Sequence, residues 1–167
     1  MKYVLTGGPC CGKTATINEL SSRGFNVVEE TARKIIKENP GITVEERQKR
    51  IFEEQLEKEL KLSPDGLYFL DRSLVDCVAY SLFYIGKLPE LLHGFDFRRR
   101  YDKIFLLHRL QFEKDNIRVE NAQEAQLLHD KLHEVYISLG YAVAEVPLLP
   151  VAARANFILE RIAQTPA

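Results

Sequence analysis

The sequence predicts a three-layer α/β fold, a parallel sheet with helices on both faces. Three observations carry that reading. Short, nearly continuous apolar segments of strand length recur along the chain, and strands apolar on both faces belong to sheets covered on both sides. Segments of helix length, several with recognisable stops, lie between them. The first strand also runs straight into a glycine-rich stretch, "LTGGPCCGKT", before a helix pattern begins.

Taken in order, residues 2–6 form the first strand, and residues 13–23 a helix that ends at Gly24, a residue suited to the left-handed turn after a helix. Residues 26–29 give a weaker second strand. Residues 31–39 are helical until Pro40, which cannot continue a helix. Thr43 with Glu46 three residues later has the form of a capping box and opens a helix to about residue 62. Residues 67–71 form the third strand, and residues 75–85 a helix closed by Gly86. The fourth strand is 103–108, the next helix 121–139 before Gly140, the fifth strand 142–146 and the last helix 152–163. Arg98, Arg99 and Arg100, flanked by Asp96 and Asp102, read as the solvated end of a helix.

The 167 residues suit one domain spanning 1–167. An apolar fraction of 46%, a charged fraction of 28% and a net charge of −1 are those of an ordinary soluble protein. They give no signal for nucleic acid or for an anionic membrane. No apolar run reaches the roughly 18 residues of a membrane helix. Cys10, Cys11 and Cys77 form neither a disulfide framework nor a zinc-ligand spacing. With no leader pattern at the start, the expected location is the cytoplasm.

Gly7-x-x-x-x-Gly12-Lys13-Thr14 satisfies the nucleotide-binding P-loop pattern, between a strand and a helix as the chemistry requires. Glycines let the backbone wrap closely round phosphate, and the helix N-terminus offers free N–H groups to it. The expected nucleotide-binding residues are Gly7, Gly8, Pro9, Cys10, Cys11, Gly12, Lys13, Thr14 and Ala15. Lys13 would reach the terminal phosphates, and the Thr14 hydroxyl would bind Mg²⁺. The paired cysteines admit two readings. A nearby helix N-terminus and lysine favour a reactive thiolate, or Cys10 and Cys11 are simply small loop residues. No Asn-Lys-x-Asp occurs to read guanine, and the chain is too short for a large mechanical ATPase.

In open parallel sheets, ligands sit beyond the carboxyl ends of the strands. There the second strand delivers Glu29, Glu30 and Arg33, and the third delivers Asp71, Arg72 and Ser73. The fourth delivers His108 and Arg109, then Asp115 and Arg118. On the helix before the third strand, Phe52 and Gln55 share a face. Gln55 would hydrogen-bond an acceptor with Phe52 stacked on it, or Phe52 is core and Gln55 exposed. Tyr80 and Tyr84 suit the core or rim. His129 and His133 suit an exposed helix face, and neither they nor His93 has partners at metal-ligand spacing.

The ordered set "LTGGPCCGKT", "VVEETAR", "YFLDRSLVD", "YDKIFLL", Asp115-x-x-Arg118, "LGYAVAEVPLLPVAAR" and "FIL" resembles the small AAA-like P-loop ATPase/kinase domains. These are grouped with the ribosylnicotinamide kinase domain of bacterial NAD-metabolism proteins, in the nucleoside and nucleotide kinase-like fold. The resemblance covers nearly the whole chain. It implies a five-stranded parallel sheet of order 2-3-1-4-5, a lid after the fourth strand, and a nucleotide base near the loop after the fifth, where Arg154 would stack on it. It implies catalytic roles for Lys13, Asp71, Glu30 and Arg118, acceptor contacts from Glu30, Arg33, Gln55 and Arg72, and Mg²⁺ at Thr14 and Asp71. Glycine and serine are frequent where this chain has Cys10 and Cys11, and side chains there are expected to point outward. In the implied strand order Asp71 lies beside the P-loop and Glu30 one strand further out. One of the two would take a proton while the other holds Mg²⁺. The expected function is ATP- and Mg²⁺-dependent phosphoryl transfer to a small hydroxylated, nucleoside-like acceptor. The alternative is an ATP-binding switch or ATPase acting through a protein partner.

Overall fold

A computed structural model describes residues 1–108 and 122–164. Its elements follow the order β1 (Lys2–Thr6), α1 (Lys13–Ser22), β2 (Asn26–Val28), α2 (Ala32–Glu38), α3 (Val44–Leu60), β3 (Tyr68–Asp71) and α4 (Leu74–Ile85). A short 3-10 turn (Glu90–Leu92), β4 (Lys103–Leu107), α5 (Ala122–Ser138), β5 (Val143–Val146) and α6 (Val151–Ala163) complete it. The strands lie in the order β2-β3-β1-β4-β5, and each neighbouring pair is parallel. Predicted element bounds hold to within about two residues, the usual scatter at element ends.

The sheet separates two apolar clusters. One joins Phe52 of α3, Leu74 and Val78 of α4 and Leu128 and Leu132 of α5. The other joins Leu5 and Phe105 of the sheet to Ile17 and Leu20 of α1 and Ile158 of α6. Register brings the functional strand ends together. Leu5 of β1 is level with Asp71 of β3, and Val28 of β2 is level with Leu70. The P-loop, Asp71 and Glu30 therefore leave the same edge of the sheet on successive strands.

Two local readings are corrected. Arg98 to Arg100 end no helix; they lie in a turn before β4, where Arg99 has φ 55° and the Arg100 guanidinium stands 4.9 Å over the Phe95 ring. Of the flanking acids, Asp96 accepts from the Arg98 backbone at 3.0 Å within the turn, and Asp102 accepts from the Lys2 backbone at 2.6 Å at the start of β1. α4 begins one residue before its expected start, because Ser73 caps it and closes a capping box with Asp76.

Phe52 is a core residue, 2% exposed, edge-on to Phe95 and Phe97. It is not a stacking surface for a ligand. Phe52→Ala is expected to lower unfolding stability by about 3–5 kcal/mol, the range for a truncated core aromatic. Urea denaturation checks this, and a loss under about 1 kcal/mol would contradict the packing described.

Candidate functional site

The loop between β1 and α1 is shaped by backbone conformations that few side chains tolerate. Gly7 has φ 139° and Gly12 φ 77°. A Cβ on Gly7 would stand 2.8 Å from the Leu107 carbonyl oxygen, so only glycine fits. Cys10 holds φ 61° without being glycine, a strain of about 1–2 kcal/mol. The loop ends at the N-terminus of α1, where unpaired backbone N–H groups and the helix dipole favour an anion. Lys13 Nζ curls over the loop and donates to Gly7 O at 2.8 Å, Gly8 O at 3.1 Å and Cys11 Sγ at 3.2 Å.

Cys11 does not point outward. It is fully buried, with its sulfur on the Gly7 side of the loop. Cys10 is half-buried at the rim, and all three cysteines are free thiols. Arg154 is also placed otherwise than the base-stacking reading requires. Its side chain is 1% exposed. It donates from Nη1 to Cys11 O at 2.5 Å and from Nε to Leu149 O at 2.8 Å. Nε and Nη1 tie α6 and its preceding loop to the P-loop, and Nη2 is buried without a partner among the described residues, so the guanidinium presents no exposed face to a base. His129 is likewise not an exposed helix residue. It is 8% exposed, and its Nδ1 accepts from the Gly8 backbone at 3.4 Å.

Asp71 and Glu30 occupy different positions. Asp71 is 1% exposed; its Oδ2 accepts from the Thr14 hydroxyl at 3.0 Å, and its Oδ1 is buried with no hydrogen-bond partner among the described residues. Burial pushes its pKa up, against the pull of Lys13. An orphaned carboxylate oxygen beside the P-loop threonine suits Mg²⁺. That ion takes one or two protein ligands and completes its shell with water and phosphate, so the lack of a larger acidic or histidine cluster among the described residues is no obstacle.

Glu30 belongs to a second recess. Its Oε1 accepts from Arg72 Nε at 2.8 Å and its Oε2 from Arg33 Nε at 3.1 Å. Burial alone would raise its pKa, but Arg72, Lys13 and Arg33 together bring it down to about 2. Arg72 reaches Glu30 from a left-handed backbone, φ 74°, and its guanidinium lies 4.7 Å over the Tyr80 ring. Strained non-glycine residues of this kind collect at functional sites.

Beside the loop opens a cavity of about 300 Å³. α1 and the P-loop give one side. Glu30 to Arg33, Arg72 and the α3 residues Arg47, Gln48, Ile51 and Gln55 give the others, with Asp76, Tyr80 and Tyr84 of α4. Asp71 lies outside this wall. Gln55 is neither exposed nor free to turn. Its Oε1 accepts from the Thr31 hydroxyl at 3.0 Å, and its Nε2 donates to Glu59 at 3.1 Å. Arg118 lies outside the described residues, as do Arg109 and Asp115.

Sequence reasoning passed over Asp76. Its Oδ1 accepts from the Thr6 hydroxyl at 2.7 Å and its Oδ2 from the Tyr136 hydroxyl at 2.6 Å. Ser73-x-x-Asp76 before an apolar run was the available signal, a capping box in which the acid also faces the site. Arg47 was passed over too, although Arg47, Ile51 and Gln55 stand four residues apart on one helix face.

Residues 2–154 match the AAA domain family, and the chain belongs to it. No curated protein matches the sequence. Among solved structures, the chain is similar to deoxyadenosine kinase from M. mycoides with dCMP and a flexible dCDP bound. That pair has TM-score 0.70 and 13% identity, over 99% of this chain and 100% of that one. It is similar to thymidylate kinase from Ehrlichia chaffeensis, with TM-score 0.70 and 12% identity, over 98% of both chains. It is also similar to NadR protein in complex with NR, with TM-score 0.76 and 19% identity, over 99% of this chain and 52% of that one. At such identities the likeness establishes the fold they share.

The ionic cluster on Glu30 has a pH signature. A carboxyl group held near pKa 2 in the folded chain, against an ordinary 4.5, contributes stability that is complete above the unfolded value. That contribution fades as pH falls through the folded one. The thermal-stability advantage of wild type over Glu30→Gln should be constant from pH 7 to about 5 and shrink between about 4.5 and 2. An advantage that grows with acid would contradict the pairing.

Proposed function

We propose that this AAA-family chain is an ATP- and Mg²⁺-dependent phosphotransferase acting on a small hydroxylated, nucleoside-like acceptor. The observation that carries the reading is the recess of about 300 Å³ directly beside the P-loop, with a carboxylate, Glu30, in its wall. That volume is at the small end of ligand sites. A nucleotide switch needs no such recess next to its phosphates.

In this reading Lys13 leaves its loop carbonyls for the β- and γ-phosphates. Thr14 and Asp71 would hold Mg²⁺, which would supply neutralisation of the phosphate charge. The acceptor's hydroxyl oxygen bonds to the γ-phosphorus, the bond from that phosphorus to the β–γ bridging oxygen breaks, and ADP departs with the electron pair. The hydroxyl proton passes to Glu30. A carboxylate with such low proton affinity is a weak base, but transfer through a loose transition state asks chiefly for positioning. Glu30 orients the hydroxyl, held in place by Arg72 and Arg33, while Asp71 stays with Thr14. Gln55 lies on the acceptor side, Arg118 is assigned to the lid, and Arg154 acts on nucleotide binding only through the loop it braces. Three free cysteines suit a reducing, cytoplasmic setting.

ADP release from ATP and Mg²⁺, measured against a panel of nucleosides, tests the proposal. At least one nucleoside should accelerate it, and a chelator should stop it. Glu30→Gln should lower acceptor-dependent turnover by about 10²-fold, in the range for a lost acid–base group, while slow ATP hydrolysis persists. Asp71→Asn should depress both. Lys13→Ala should weaken ATP binding in calorimetry. Turnover that no small hydroxylated molecule accelerates would favour the protein-partner switch instead.

A further inference from the structure

The cavity wall carries one cation, Arg47, that the phosphoryl-transfer chemistry does not use. Four cationic side chains line it, Lys13, Arg33, Arg47 and Arg72, against two carboxylates, Glu30 and Asp76. Both carboxylates are engaged. Glu30 is shared by Arg72 and Arg33. Asp76 takes Thr6, Ser73 and Tyr136, with Arg72 Nη1 at 3.6 Å. Lys13 is bound to the loop. Arg47 alone of the four has neither an ion pair nor a side-chain hydrogen bond among the described residues, and its Nε is buried without a partner.

The surroundings of Arg47 do not explain it as a surface residue of α3. Arg50 pairs with Glu46, Lys58 with Glu54 and Lys61 with Glu57, each four residues away. The other acid of the first turn, Glu45, faces Lys87 at 3.8 Å. Four residues from Arg47 stand Thr43 and Ile51, neither of them acidic. Arg47 also occupies the first turn of α3, where the helix dipole already presents partial positive charge and a cation is disfavoured. A guanidinium in that position, with a desolvated Nε in a cavity wall, creates a site for an anion.

Its place in the cavity states which part of an acceptor carries that anion. Gln55 touches Thr31, the neighbour of Glu30, so the Gln55 end of α3 lies at the transfer centre. Arg47 is eight residues earlier on the same face, about 12 Å along the helix at 1.5 Å per residue. A nucleoside-like molecule with its reacting hydroxyl at Glu30 would direct the far edge of its ring system toward Arg47.

Building on the phosphotransferase reading, we infer that the acceptor carries a carboxylate on the end remote from its reacting hydroxyl, and that Arg47 is the residue selecting it. A planar guanidinium can hold such a carboxylate with two parallel hydrogen bonds. A neutral amide of the same shape offers its N–H₂ group to a donor and loses one of them.

The test uses the ribosides of pyridine-3-carboxylate and pyridine-3-carboxamide, which differ only in that group, with wild type, Arg47→Ala and Arg47→Lys. Both calorimetric binding and ATP-dependent phosphorylation are read. Wild type should favour the carboxylate by ten- to a hundredfold in Kd or kcat/KM. Arg47→Ala should bring the ratio toward one, and Arg47→Lys should restore part of it. ATP affinity of each variant, together with its circular dichroism, shows that the fold is retained. Equal use of both ribosides by wild type, a preference that survives Arg47→Ala, or a preference for a nucleoside 5′-phosphate over both would overturn the inference. Arg47-dependent carboxylate binding without phosphorylation would uphold it and reject the kinase reading. Phosphorylation indifferent to Arg47 would do the reverse.

Discussion

The site rests on one ion pair, Arg72 with Glu30, that joins two strand ends across 42 residues of sequence. Arg72 leaves β3 with a left-handed backbone at φ 74°, which sends its guanidinium back over the cavity instead of along the strand. Burial opposes its charge, but Tyr80, Glu30 and Asp76 outweigh that and raise its pKa well above the ordinary value. A charge with only 16% of its side chain exposed needs those partners, because an uncompensated buried ion is strongly destabilising. The partners are in turn fixed by it: Glu30 is aimed into the cavity, and Tyr80 is pinned by the overlying guanidinium.

From that pair outward the polar contacts continue, first through the Arg72 Nη1–Asp76 ion pair at 3.6 Å. Asp76 joins Arg72 to the N-terminus of α4 through Ser73, to α5 through the Tyr136 hydroxyl and to β1 through Thr6. On the other side Thr31, next to Glu30, holds Gln55, and Gln55 holds the buried Glu59. Burial raises the Glu59 pKa against hydrogen bonds from Gln55 and Tyr101. Among the described residues, the Arg47 side chain at the outer end of α3 has no hydrogen bond or ion pair into this polar floor, and its Nε is buried without a partner.

The P-loop is held by different means. Its conformation needs glycine at positions 7 and 12 and places Cys10 under strain, while Arg154 and His129 brace it from α6 and α5. These braces bind backbone atoms, so they fix the loop's shape and leave the α1 amides at its mouth for phosphate. The inward turn of Cys11 follows from the same packing: its sulfur contacts the Lys13 ammonium in the space beside Gly7.

The sequence by itself determined what depends on neighbours along the chain. Apolar runs of strand length, helix stops at Gly24 and Gly86, the Thr43 cap and the P-loop spacing act within a few residues, and the elements they specify are present. The strand order was legible only through the resemblance carried by the ordered motifs. Tertiary structure alone decided the contacts between distant segments. Arg154 meets Cys11 across 143 residues and His129 meets Gly8 across 121, so a guanidinium expected on a base and an imidazole expected in water both became braces. Phe52 and Gln55 share a helix face, yet packing sent one into the core and the other to the cavity wall. Local pattern shows which face a side chain occupies. What that face meets is set by how the helices close over the sheet, and that closure gave Asp71 to Thr14 and Glu30 to the cavity.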